Sequence, residues 1–136
     1  MMLDGMQILT TVAIAPAAAV TNNTPFVSSI LDTDTMGSAT FSANFGAVGN
    51  GTFTASIQSG NQSNLSDAAN ETNIIGSLTL APSANETWKL GYIGSNRYIQ
   101  VTITPVGNSG NIFLSATWIQ GHPQRGGSTA LMNQLN

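Results

Sequence analysis

The chain has no cysteine, one histidine and three basic residues among 136. Each scarcity removes a class of function. Without cysteine there are no disulfides, no thiolate zinc sites and no cysteine nucleophile. That usage fits folding in a reducing cytoplasm. Lys89, Arg97 and Arg125 stand apart in a chain of net charge −3. Nucleic-acid binding needs clustered cations that displace counterions, so no nucleic-acid partner is expected. A single histidine, His122, leaves one candidate general base. Charged residues make up 7% of the sequence, against about 25% in an average globular protein.

Long apolar runs are missing as well. No stretch reaches the roughly 18 residues of a membrane span, so no membrane partner is expected. QILTTVAIAPAAAV, residues 7–20, has the small apolar character of a signal peptide core. Asp4 rather than Lys or Arg precedes it, and Thr10, Thr11 and Pro16 interrupt it, which reads against export.

Ser, Thr, Asn and Gln fill the place of charge, and the apolar residues among them recur with a period of two. Phe41, Ala43 and Phe45 alternate with Ser42 and Asn44; Phe53, Ala55 and Ile57 alternate with Thr54 and Ser56. Ile99, Val101 and Ile103 repeat the pattern, as do Ile112, Leu114, Ala116 and Trp118, although Phe113 marks a partly covered second face. This is half-buried antiparallel strand patterning. Turn signals fall between the runs at Gly49-Asn50-Gly51, Gly94-Ser95-Asn96 and Asn108-Ser109-Gly110. Strands are expected over 38–48, 52–59, 87–93, 97–105 and 111–120, with further candidates at 7–14, 25–31 and 73–81. The polar segment 60–72 reads as a loop with one helical turn around 66–70.

The fold expected is therefore all-β: a single-domain antiparallel β-sandwich of jelly-roll type with about eight strands. Residues 1–24 form an N-terminal strand or arm, 25–120 the sandwich core and 121–136 a C-terminal arm.

Catalytic readings find little support. His122 lies between Gly121 and Pro123, and Ser128 and the acids surround it only in principle; no nucleophile elbow accompanies them. Asp32 and Asp34 sit in LDTDTMG with the spacing of two calcium ligands, but nothing completes a calcium loop, and a solvated loop is the plainer reading. No enzyme, cofactor or metal is expected. The Asn-x-Ser/Thr triplets are what chance gives in so Asn-rich a chain. Trp88, Tyr92, Tyr98 and Trp118 offer either a sugar-binding platform or core and interface packing. Arg97, placed directly after a turn, can clamp a hairpin through backbone carbonyls or a carboxylate such as Glu86 or Asp67. With Tyr98 it can instead anchor a neighbouring subunit.

The stretch LGYIGSNRYIQVTITPVGNSGNIFLSATWIQGHPQ resembles the C-terminal half of small structural proteins encoded near the capsid gene in many tailed bacteriophages. Gly91, Tyr92, Gly94, Arg97, Tyr98 and Val101 match a G-Y-x-G-x-x-R-Y-x-x-V strand pair, Asn108-Ser109-Gly110 a hairpin, and Gly121-His122-Pro123 the close. SATFSANFGAV and the following G-T-F-T strand extend the resemblance over most of the chain. Ile99-Gln100 departs from it, where a second basic residue often follows Arg-Tyr. The resemblance implies a head decoration or cement protein, made in the bacterial host cytoplasm and carried on the capsid surface of the virion. Its partners would be the major capsid protein and further copies of itself, with a trimer matching the shell's threefold points. The residues expected at such contacts are Arg97, Tyr98, Tyr92, His122, Arg125, Ile8, Val12 and Ile14. The alternatives are a carbohydrate-binding module on a virion, using Trp88, Tyr92 or Trp118, and a head–tail or tail component.

Overall fold

The computed structural model describes residues 10–21, 23–34, 36–46, 50–80 and 85–123. Among them every regular element is a strand: β1 (Thr10–Thr21), β2 (Phe26–Val27), β3 (Leu31–Asp32), β4 (Met36–Phe45), β5 (Thr52–Gly60), β6 (Ala69–Asn70), β7 (Ile74–Ile75), β8 (Thr79–Leu80), β9 (Thr87–Tyr92), β10 (Tyr98–Val106) and β11 (Asn111–Pro123). All pairings are antiparallel.

Two sheets result. The first runs β1-β11-β4-β9-β7; the second runs β2-β10-β5-β6, with β3 beside β10 and β8 beside β5. Long strands in sequence alternate between the sheets: β4 in the first leads to β5 in the second, and β9, β10 and β11 cross twice. Taking β2 with β3, and β6 with β8, as single broken edges gives the winding of a jelly roll, two interlocked Greek keys. The expected fold class is correct.

The alternation places the core between the sheets. Phe41, Ala43 and Phe45 of β4, Phe53 and Ile57 of β5, Ile99, Val101 and Ile103 of β10, and Leu114 and Trp118 of β11 are all buried. Phe45 of the first sheet packs on Phe53 of the second, ring centroids 5.2 Å apart. Phe41 meets Trp118 edge-on at 5.2 Å. Each such aromatic withdraws some 150–250 Å² from water, so these rings contribute much of the apolar area buried between the two layers.

The differences from expectation lie at the edges. The segment 25–31 is split into β2 and β3, and 73–81 into β7 and β8, which belong to opposite sheets. Gly76 makes that switch: its φ is +119°, and a Cβ there would lie 2.9 Å from the Lys89 carbonyl oxygen. The helical turn expected around 66–70 is instead a turn followed by β6. Within the N-terminal strand or arm, residues 10–21 form a strand that pairs with β11 from Asn111 to Gln120, longer than the 7–14 expected. β11 likewise continues to Pro123, past the boundary expected at 120.

Candidate functional site

Arg97, Tyr98, Tyr92, Asp32, Asp34 and Asp67, among the residues that the sequence singles out, gather at one end of the sandwich, where β3, the 60–73 loop and the 93–97 turn meet. Arg97 precedes β10, and its guanidinium forms a fork on Asp32 of β3: Nε donates to Oδ1 and Nη2 to Oδ2, each at 2.9 Å. Asp34 lies 3.5 Å from the same Nη2. These hydrogen bonds hold the Asp32 carboxyl below the usual carboxylate range, and the acids in turn push the Arg97 pKa up. The Arg97 backbone joins in: its carbonyl accepts from Thr33 N–H (2.8 Å) and Thr33 Oγ1 (2.8 Å). Arg97 is thus a clamp tying β3 to the start of β10. Its partners are Asp32 and Asp34, not Glu86 or Asp67.

Asp67 has a different task. Its carboxylate accepts from the backbone N–H groups of Asn61 (2.9 Å) and Gln62 (3.1 Å), which lowers its pKa and closes the loop after β5. Glu71 does the same for the next turn. Its Oε1 accepts from the N–H groups of Thr72 and Asn73, and its Oε2 from Ser59 Oγ at 2.7 Å. Burial works against its charge, but these donors outweigh it and its pKa falls. No group of acids or histidines suited to a metal ion occurs among the described residues.

Three of the four aromatics offered as a sugar platform are core residues. Trp88, Tyr92 and Trp118 are 4%, 4% and 0% exposed. Trp88 Nε1 donates to the Ser77 carbonyl at 2.9 Å, and Tyr92 Oη donates to the Asn96 carbonyl at 2.9 Å. Burial above all, with Glu71 nearby, pushes the Tyr92 phenol up. The platform is therefore not formed, because the strand parity that aligns these rings turns them inward. The same burial removes Tyr92 from the expected subunit contacts. Tyr98 points the other way: it is half-buried on the outer face of the second sheet, with the Arg97 guanidinium 5.1 Å from its ring centroid.

Of the remaining contact residues, Ile8 and Arg125 lie outside the described residues, as does Ser128. His122 falls within β11, and Val12 and Ile14 fall within β1.

A surface that the sequence reading passed over is the outer face of the second sheet. The register β5–β10 sets Thr52 beside Val106, Thr54 beside Thr104, Ser56 beside Thr102 and Gln58 beside Gln100. Thr79 of β8 extends the Thr54 row, and Asn70 of β6 the Gln58 row. Thr52, Ser56, Gln58, Thr79, Thr102 and Thr104 spend none of their side-chain hydrogen-bonding capacity on other described residues, and none carries charge. The polar half of the alternation was the available signal.

Val27 and Val106, 54% and 53% exposed, lie on the same outer face of the second sheet. Lys89 projects from the first sheet, and Ile75, Ile93 and Phe113 are 62%, 61% and 48% exposed. No helix among the described residues is long and apolar enough to cross a membrane.

No family model matches the chain, and no curated protein matches it. Several solved structures share its general outline. The SPBc2 prophage-derived protein YomS aligns over 82% of this chain and 92% of its own, at 10% identity and a TM-score of 0.45. A xylan-binding domain of carbohydrate-binding family 22 aligns over 82% of this chain and 86% of its own, at 14% identity and 0.48. The CBM22-1–GH10 modules of Clostridium thermocellum xylanase 10B align over 86% of this chain and 26% of their own, at 14% and 0.49. Likeness at this level assigns neither ligand nor partner.

Proposed function

We propose that the chain is a non-enzymatic capsid decoration protein of a tailed bacteriophage, binding the outer shell across capsomer seams and stabilising the particle. The observation that carries this reading is the outer face of the second sheet: a broad array of hydroxyl and amide side chains with free hydrogen-bonding capacity and no charge. Such a face makes many modest, orientation-tolerant contacts, and copies repeated over a shell make modest contacts effective. Four of the charged groups, by contrast, are spent internally. Arg97, Asp32, Asp67 and Glu71 all hold loops in place. The sequence resemblance to phage head proteins supports the same reading.

The mechanism is linkage. A protein that binds the assembled shell and not its disrupted form raises the stability of the shell by mass action. It would act on the virion surface, with the major capsid protein as partner and other copies of itself as neighbours. The test compares particles with and without the protein. Decorated particles should retain their genome to higher temperature, with hundreds of copies per particle. Equal thermal stability refutes the reading, and about a dozen copies would place the chain at the head–tail junction instead. Gln58→Glu and Thr102→Lys on the outer face should weaken attachment, while Thr87→Lys on the first sheet should not. Binding to neutral glycans without binding to shells would favour a carbohydrate-binding role through that same face.

A further inference from the structure

The sheet edges are not treated alike. Beside β10 the edge is broken into β2 and β3, two residues each, and pinned by side chains. Ser28 Oγ accepts from Val101 N–H at 3.0 Å, Gln100 Nε2 donates to the Ser28 carbonyl at 2.7 Å, and Arg97 grips Asp32. Beside β5 the edge is again two fragments, β6 and β8; beside β9 it is the two-residue β7. Short, broken, charge-guarded edges are how proteins prevent strands from adding to a sheet. β1 is the contrast: twelve residues, TTVAIAPAAAVT, with no charged residue. Among the described residues it pairs only with β11, and none of them fills the row of backbone donors and acceptors on its other side.

The order of residues in β1 points to the occupant. Read outward from Pro16, the strand is nearly a palindrome: Ala15 mirrors Ala17, Ala13 mirrors Ala19, Val12 mirrors Val20 and Thr11 mirrors Thr21. Only Ile14 and Ala18 differ. Two antiparallel copies with Pro16 opposite Pro16 would therefore set like residue against like along the pair. Proline is tolerated at that axis because a non-hydrogen-bonded antiparallel pair asks neither residue for an N–H.

The register with β11 is compatible. It is interrupted around Pro16: from Ala13 to Ala18 β1 advances five residues while β11, from Thr117 to Leu114, advances three. The excess is two residues, an even number, so both halves of β1 present the same alternation of backbone groups to the outside. Those halves, 11–13 and 19–21, are the ones that the palindrome would join.

We propose that β1 is a self-association edge. Two copies of the chain pair their β1 strands antiparallel about a twofold axis at Pro16, joining their first sheets into one. The symmetry is isologous, as a twofold contact requires, and it differs from the threefold expected from shell geometry. The pairing needs no capsid, so it stands or falls separately from the decoration reading.

Light scattering on the purified full chain tests it directly. At about 100 µM, where an association of micromolar Kd is nearly complete, the mass should be twice 14.1 kDa. A monomer or a trimer overturns the proposal. The absence of native cysteine allows a sharper test of register. In the pair, position 16 faces its own copy at about 4.5 Å between Cα atoms, within reach of a disulfide. Position 11 lies about 27 Å from its own copy, because residues 11 to 21 of β1 run beside only eight residue steps of β11, from Ile119 to Asn111. Pro16→Cys should therefore cross-link on the order of 100-fold faster than Thr11→Cys, the gain expected from a held contact over chance collision. A mixture of Thr11→Cys and Thr21→Cys should also link. Equal rates for the two single variants, or no linking in the mixture, refute the register and with it the proposal.

Discussion

Gly94→Ala is the most informative single substitution for the end of the sandwich that Arg97 closes. A Cβ built at Gly94 lies 2.5 Å from Tyr92 Cε2, 2.6 Å from its Oη and 2.7 Å from Glu71 Oε2. Real Cβ atoms do not approach neighbours so closely, so something must move. The Tyr92 ring cannot swing into solvent, being 4% exposed and part of the core. Glu71 Oε2 is held by Ser59 at 2.7 Å. Forcing extra volume into such a site costs about 1–3 kcal/mol. Displacing the ring also breaks the hydrogen bond from Tyr92 to the Asn96 carbonyl, worth about 1 kcal/mol. The expected loss is thus about 2–4 kcal/mol. At roughly 3–6 °C per kcal/mol for a chain of this length, thermal unfolding should fall by on the order of 10 °C. Urea titration followed by the fluorescence of Trp88 and Trp118 measures the change at constant temperature. A second variant isolates the cause. In a Tyr92→Leu background, which removes Cε2 and Oη and leaves only the Glu71 contact, Gly94→Ala should cost at least about 1 kcal/mol less than in the wild type, a large non-additivity. A cost below about 0.5 kcal/mol in the wild type, or the same cost in both backgrounds, would refute the steric argument.

Other expectations are shorter. Trp88→Phe should cost about 1 kcal/mol more than Trp118→Phe, although Trp118 is the more buried: the Trp88 indole N–H donates to Ser77, whereas the Trp118 N–H has no partner among the described residues. Equal costs in urea titration would count against it. Asp32 has a folded pKa below its ordinary 3.8, because Arg97 favours its charge. Its contribution is therefore present above pH 3.8 and lost as pH falls through the lower folded value, so wild type should lose more stability than Asp32→Asn between pH 5 and pH 2. Identical pH slopes would remove the clamp from the account. Arg97→Lys keeps the charge but not the fork, and should raise proteolytic susceptibility at 29–34 while leaving the first sheet protected in hydrogen exchange.

The long strands were legible because alternation fixes both their existence and their inward face. β4, β5, β10 and β11 begin or end within a few residues of the expected bounds, and Phe41, Phe53, Ile103 and Trp118 point where the pattern sends them. The edges were not legible, for a physical reason. A two-residue strand such as β3 has no period to read; side chains far away in sequence hold it, Arg97 at the fork and Gln120, whose Nε2 donates to the Asp32 carbonyl at 2.9 Å. β1 was legible in part. A strand was expected over 7–14; the Ala-rich, Pro-broken residues after it argue against continuing the strand, and pairing with β11 overrides that local preference to Thr21.

The same distinction bears on what the phage-like motif can mean. Its residues turn out to serve the chain itself. Gly94 leaves room for Tyr92. Tyr92 ties the turn to the core, Arg97 binds β3, and Val101 is fully buried. Such a motif reports a way of closing a hairpin against a sheet edge, and any sequence needing that closure is under pressure to keep it. On the decoration reading proposed above, recognition of a shell would instead lie on side chains with unused hydrogen-bonding capacity. Those are outward positions of β5 and β10, which can change without disturbing the core. Exchanging Thr52, Ser56, Thr102 and Thr104 for other small polar residues should therefore leave the unfolding midpoint nearly unchanged while altering attachment to particles. If attachment survives those exchanges but fails on changing Ile75, Ile93 or Phe113, the first sheet is the docking face and the assignment of surfaces is reversed.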